Sequence, residues 1–369
     1  MIGSRILVLA MLFSPLLRPQ AQPTDTLVSP EVQADRRVTF RIRAPKASEV
    51  TLSMDYMPAN TREKMTKDND GVWSVTIGPL DPSVYIYAFN VDGVTMADPV
   101  NPNIKLRART SGSMVEVPAA TPALWEPRDV PHGAVEINWQ KSSAINGETR
   151  WIWVYTPPGY QKETKRRYPV LYLFHGSNDT AGGWTLAGHA NFILDNLLAE
   201  KKAQPMIIVM PFGHAVPFGA RGGPVNNNDL YEQYVLKDVI PTVEAKYRVR
   251  PGRENRAIAG LSMGGGQTIT IGFRHLELFS AIGVFSGAIS ADFEKQFPQV
   301  LANAKETNSK LKLLWIGCGR QDGLFERSQK LSELWTARQI KHTFRPSEGA
   351  HVFKVWRLYL SEFAPLLFR

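Results

Sequence analysis

The sequence predicts an α/β architecture, a mostly parallel sheet with helices on both faces, preceded by a small all-β sandwich. Three observations predict it. Residues 37–93 read as short alternating strands with turn signals and no helical period. After Gly133, apolar runs alternate with helix-length segments, and a proline-rich stretch separates the two halves. At 369 residues, with 43% hydrophobic and 21% charged positions, the chain can fill two cores and is too apolar to be disordered.

In the front half, Val38, Phe40 and Ile42 alternate with Thr39, Arg41 and Arg43, as in a half-buried strand. Residues 50–54, 72–77 and 85–91 repeat the pattern, and Asp92-Gly93 closes the last as a hairpin turn. These strands place a β-sandwich over residues 30–118. Trp73 and Tyr87 lie in alternating strands and are expected in its core rather than on a sugar-binding face. Pro118, Pro122, Pro127 and Pro131 mark residues 119–133 as a linker, leaving 134–369 for the α/β unit.

Ahead of the sandwich, Arg5 precedes an apolar run over residues 6–17. That is shorter than the ~20 residues needed to span a bilayer but suits a signal peptide, here residues 1–21 with cleavage after Ala21. The expected location is exported, periplasmic or extracellular, with no stable membrane anchor after cleavage. A single cysteine, Cys318, excludes a disulfide framework and a cysteine zinc site. The net charge of +9 is scattered. Its densest cluster, residues 162–167, is interrupted by Glu163, so no nucleic-acid partner is expected.

In the back half, strand-like runs fall at residues 151–155, 170–174, 206–210, 257–259, 281–285 and 311–316. Helix-like segments fall at 190–201, 231–246 and 265–274. In a parallel sheet covered on both faces, reactive groups gather in the loops beyond the carboxyl ends of the strands. Gly260-Leu261-Ser262-Met263-Gly264 lies at such a point, between a short apolar strand and a helix. Glycines let the tight turn close and place Ser262 at a helix N-terminus, where developing negative charge is favoured. A serine nucleophile needs a base and an acid, which follow it in the chain order Ser, Asp/Glu, His. Of the histidines after Ser262, His351 sits in a loop directly after a strand-like run. His342 lies within that run and His275 just past the nucleophile helix. Asp322 leaves the end of the preceding strand, with Glu326 as the substitute. The oxyanion hole is expected from the N–H of Met263 and that of Ser177, in the glycine-containing loop His175-Gly176-Ser177. His175 is expected to brace that loop.

Together these stretches resemble the esterase-D-like branch of the α/β-hydrolases. That branch includes the feruloyl and acetyl-xylan esterases of carbohydrate esterase family 1, enterochelin esterases and mycolyltransferases. The resemblance rests on residues 168–176, on Asp238-Val239-Ile240-Pro241 with Tyr247-Arg248-Val249, on residues 260–265, and on Gly349-Ala350-His351 with Val355-Trp356-Arg357. Ala350 departs from the glycine of many relatives. The front half is similar to the immunoglobulin-like domain, related to glycogen-binding modules, found ahead of such esterases; Asp70-Gly71-Val72-Trp73 and residues 92–99 carry the likeness. The resemblance implies an α/β-hydrolase fold and a serine esterase working through Ser262, His351, Asp322 and an acyl-enzyme, with no cofactor or metal. It implies as partner an ester substrate, feruloyl or acetyl esters of plant cell-wall polysaccharide or its oligosaccharide fragments. Trp184, Phe212, His214 and Phe218 are expected to line the acyl pocket. Acyl transfer of the mycolyltransferase kind, siderophore-ester hydrolysis and non-catalytic glycan binding are the alternatives.

Overall fold

The structure, a computed structural model, describes residues 27–58, 60–216 and 227–369. The run at 6–17 and the Ala21 cleavage position lie outside the described residues. Among the described residues, no helix is long and apolar enough to cross a membrane.

The front half contains two antiparallel sheets. One orders Glu31–Val32, Val38–Arg43, Val72–Ile77 and Thr66–Lys67. The other orders Glu63–Lys64, Val50–Met54, Ser83–Val91, Gly112–Val117 and Ile104–Lys105, with Val94–Met96 folded back on Ser83–Val91. That hairpin turns at Asp92 and Gly93, both at positive φ (46° and 91°), the conformation that favours an Asp-Gly pair. The two sheets close on Phe40 and Trp73 from one side and Leu52, Tyr87 and Phe89 from the other.

The back half is one eight-stranded sheet. Its strands are β1 (Ala134–Lys141), β2 (Thr149–Thr156), β3 (Val170–Phe174), β4 (Ile207–Pro211), β5 (Arg256–Leu261), β6 (Ala281–Phe285), β7 (Leu313–Gly319) and β8 (Thr343–Ser347). Their spatial order is β1-β2-β4-β3-β5-β6-β7-β8. β1 and β2 are antiparallel to their neighbours and the remaining pairs are parallel. Strands β3, β4 and β6 are buried at every residue, which explains their unbroken apolar runs: helices cover both faces. The expected helix over 231–246 forms in three pieces. An α-helix at Asn227–Tyr234 passes into a π-helical turn at Val235–Val239 and then α-helix again at Ile240–Lys246. Pro241, with no N–H to donate, lies just past the seam, where Ile240 N–H reaches back five residues to Val235 O.

The halves share a core. On strand Ser83–Val91, Tyr85, Tyr87 and Phe89 point into the sandwich, while Val84 and Ile86 join the cluster on the back sheet beside Trp184, Phe353 and Trp356. Period-two alternation thus divides one strand between two interiors. Arg357, 1% exposed, locks this seam. Its guanidinium donates to Ser83 Oγ (2.7 Å) and Val84 O (3.0 Å) on the front half and to Ala187 O on the back. Residues 119–133 are held rather than free. Asn196 donates to Leu124 O and Glu126 O, His189 Nδ1 donates to Trp125 O, and Arg128 pairs with Glu200.

Candidate active site

β5 runs straight into Ser262, whose backbone adopts φ 54°, ψ −118° before the helix Met263–Arg274 begins. Three hydrogen bonds hold that strained turn: Ser262 N–H to Phe285 O (2.9 Å), and Ser262 O from Gly266 N–H (3.1 Å) and Ala288 N–H (2.8 Å). The glycines permit close approach. A Cβ on Gly264 would stand 2.5 Å from His175 O, and one on Gly260 2.5 Å from Gly264 O. A Cβ on Gly176 would stand 3.3 Å from Ser262 Cβ and 3.8 Å from its Oγ, so the loop after β3 lies directly against the serine.

His351 sits between β8 and the helix Phe353–Phe363. Its Nδ1 donates to Asp322 Oδ2 at 2.8 Å, and Trp356 meets its ring edge-on with centroids 4.9 Å apart. Asp322 follows β7, and its side chain is 1% exposed. Burial pushes its carboxyl up, but the hydrogen bond and positive charge of His351, with Leu324 N–H donating to Oδ1, outweigh it and hold the group below the ordinary carboxylate range. The competing residues are engaged elsewhere. Glu326 pairs with Lys330, Glu348 accepts from Gln321, His342 Nε2 meets Ser332 Oγ, and His275 lies between Glu232 and Glu277. Ser262 and His351 line one pocket together with Gly176 and Ser177. Met263 opens its helix, so its N–H has no partner within the helix.

The loop carrying Ser177 is braced from beneath. His175 is buried, donates from Nδ1 to Gly176 O (2.8 Å) and accepts at Nε2 from Gly213 N–H (2.8 Å). Burial drives its basicity down to about 4, which keeps the ring neutral as those two contacts require. Asp238, quoted above for its motif, accepts from Ser142 Oγ, Ser143 Oγ and the N–H groups of Ser143 and Ala144. It organises the turn between β1 and β2, away from the chemistry.

The expected acyl-pocket residues fall elsewhere. Trp184 is wholly buried, donates Nε1–H to Phe174 O (2.9 Å) and packs edge-on against Phe285 and Phe353. It is core, because the loop after β3 turns its ring inward under the sheet. Phe212 and His214 surround His175, and His214 is held by the backbone of Ser177; neither lines the pocket. Phe218 lies outside the described residues. The lining that sequence reasoning missed is Val352, Phe353 and Trp356 after the histidine and, from the front half, Asp55, Ile86, Lys105 and Arg107. Ile86 carried a signal, an apolar residue on the outward face of a sandwich strand. Among the described residues, no group of three or more His, Cys, Asp or Glu side chains could hold a metal ion.

The Esterase family model matches residues 142–367. The chain belongs to this family of carboxylic ester hydrolases, an esterase-D-like α/β-hydrolase. The chain is 33% identical over 350 residues to an endo-1,4-beta-xylanase/feruloyl esterase of Xylanibacter ruminicola, covering 92% of this chain and 46% of that one. An esterase of Mycobacterium tuberculosis is 31% identical over 155 residues, 41% of this chain and 31% of its own length. The chain therefore spans less than half the length of these two curated relatives. Among solved structures, a ferulic acid esterase is 28% identical with a TM-score of 0.57, covering 63% of this chain and 97% of that one. The enterobactin esterase of Shigella flexneri, at 18% identity, shares the fold with a TM-score of 0.65 over 89% of this chain and 92% of its own.

Proposed function

We propose that the esterase hydrolyses feruloyl esters of plant cell-wall polysaccharide with Ser262 as nucleophile, His351 as base and Asp322 as its orienting acid. The observation that carries this reading is the 2.8 Å bond from His351 Nδ1 to Asp322 Oδ2 beside the pocket that both Ser262 and His351 line. With Nδ1–H committed to Asp322, Nε2 is the nitrogen left to take the Ser262 proton. The hydroxyl oxygen attacks the ester carbonyl, and the N–H groups of Met263 and Ser177 receive the oxyanion. The imidazolium returns its proton to the leaving alkoxide, giving free alcohol and an acyl-enzyme. Water then repeats the sequence and releases the acid. The feruloyl preference draws on the Xylanibacter relative's feruloyl esterase name and on a cavity of about 250 Å³ whose lining is part apolar and part charged. That volume suits an acyl group rather than a whole oligosaccharide, which would rest outside.

Residues 30–118 are read as an immunoglobulin-like unit, and residues 1–21 as an export signal. N-terminal sequencing of the secreted protein, beginning at residue 22, would support the signal.

Ser262→Ala tests the central assignment. Hydrolysis of p-nitrophenyl acetate is expected to fall by at least about 10⁴-fold with thermal unfolding near that of the parent. Activity surviving the substitution overturns the nucleophile. Parallel product assays on methyl ferulate, acetylated xylan and a catecholate triester decide the substrate class, with methyl ferulate expected to be the best.

A further inference from the structure

We propose that the front half completes the acyl subsite, with Asp55 and Arg107 together holding a ring hydroxyl of an aromatic acyl group whose ester carbonyl lies at Ser262. The inference rests on the esterase reading above and adds which residues select the acyl group.

The pocket at Ser262 and His351 has two chemistries. Ile86, Leu261, Phe353 and Trp356 give it apolar walls. Lys105, Asp179, Asp55 and Arg107 give it charge, and the first two are spent on each other in a buried ion pair. Asp55 and Arg107 are not spent in this way. Asp55 uses its backbone N–H on Ile86 O (2.9 Å), while its side-chain Oδ1 is buried with no hydrogen-bond partner. A buried acceptor left without a donor costs about 1–3 kcal/mol, so an orphan of this kind in a cavity wall needs an explanation. A ligand that brings the donor supplies one.

Arg107 narrows what that ligand is. Its guanidinium lines the same cavity close enough for its charge to act on Asp55, and it offers only donors. A group that satisfies both must donate to the carboxylate and accept from the guanidinium, which is the capacity of a hydroxyl. The apolar walls require that hydroxyl at the tip of a flat apolar body. A hydroxylated aromatic acyl group meets both demands. An acetyl group has no hydroxyl to offer. Burial raises the Asp55 carboxyl to about 6, against a backbone hydrogen bond from Ile86 and the opposing charges of Arg357 and Arg107.

The test is the selectivity ratio, kcat/KM on methyl 4-hydroxycinnamate divided by kcat/KM on methyl cinnamate, two esters that differ by one hydroxyl. The parent esterase is expected to favour the hydroxylated ester by tenfold or more, and Asp55→Ala and Arg107→Met each to bring the ratio near one. Asp55→Asn, of the same shape, covers the case in which the alanine variant does not fold, and it should give an intermediate ratio. A ratio unchanged in all three variants overturns the proposal. So does a loss seen only when the alcohol is changed from methanol to arabinose, because the pair would then read the alcohol side. If the parent cleaves p-nitrophenyl acetate but neither cinnamate ester, the feruloyl reading fails, and this subsite with it. If the parent cleaves both cinnamate esters equally, only the subsite fails.

Discussion

Lys105, on a two-residue strand of the front half, ends its side chain on the carboxylate of Asp179 in the loop that follows β3. Both side chains are almost fully buried, 3% and 7% exposed. Asp179 also donates its N–H to Gly176 O (3.1 Å), and its Oδ1 accepts from Thr180 N–H (2.8 Å). The loop that presents Ser177 to the pocket is therefore tied at its far end to a cation from the other half of the molecule. A unit that reads in sequence as an accessory sandwich thus braces the proposed oxyanion hole.

Removing one partner of a buried pair leaves the other charge without compensation. Lys105→Met is expected to lower unfolding stability by about 3–5 kcal/mol and to lower kcat more than it raises KM, because the Ser177 N–H loses its fixed position. Lys105→Met combined with Asp179→Asn removes both charges and should recover much of that loss. Urea unfolding of the two single variants and the double variant measures this directly. Strictly additive effects would mean the two side chains act independently, contrary to the contact.

Asp322→Asn keeps the shape of the side chain and removes its charge. The amide can no longer favour an Nδ1–H imidazole, and it no longer stabilises the imidazolium that forms when His351 takes the serine proton. A fall in kcat on the order of 10³–10⁴-fold is expected, with KM little changed. Steady-state kinetics on a soluble ester decides it. A loss of less than tenfold would move the orienting role to another carboxylate, with Glu326, four residues after Asp322, the first to try.

The nucleophile turn and the central strands were legible because both are local. β3, β4 and β6 are continuous apolar runs, since each is buried on two faces. Gly260, Gly264 and Ser262 carry the turn within five residues. β1 was not legible. It is an edge strand whose residues are all exposed or partly exposed, with Trp139 61% exposed, so no buried face imposes a pattern. Trp184 was misread because its apolar, loop-borne position suits a pocket as well as a core; only the hydrogen bond to Phe174 O shows which way the ring points. Asp55, Lys105 and Arg107 were beyond reach. They lie more than 150 residues before Ser262, and nothing but the packing of one half on the other brings them to it. The trace of that packing was the outward-facing Ile86.

Buried titratable groups set the response to acid, and they pull in opposite directions. His175 and His189 are each held down to about 4 by burial, against 6.5 for a free imidazole. The folded state refuses their protons, so the stability they contribute is full above about 6.5 and is lost as pH falls through 4. Asp55 is raised to about 6 from 3.8. Its contribution is full below 3.8 and is lost as pH rises through 6, the reverse sense over nearly the same window. His214, lowered by burial, adds to the first effect, and His275, raised by its bond to Glu232, subtracts from it. Each depressed imidazole is worth on the order of 3 kcal/mol over the full window and Asp55 a similar amount. Two such imidazoles outweigh one carboxyl, so unfolding stability should drop by a few kcal/mol between pH 7 and pH 4. His189 isolates the effect. It sits at positive φ (50°) outside the pocket, bonded to Trp125 O, and asparagine tolerates that backbone while offering the same donor. His189→Asn should therefore leave stability at pH 7 nearly intact and shrink the loss on going to pH 4.5 by roughly 2 kcal/mol. Urea unfolding of parent and variant at the two pH values gives the comparison, and an undiminished loss in the variant would show that this imidazole does not govern the acid response.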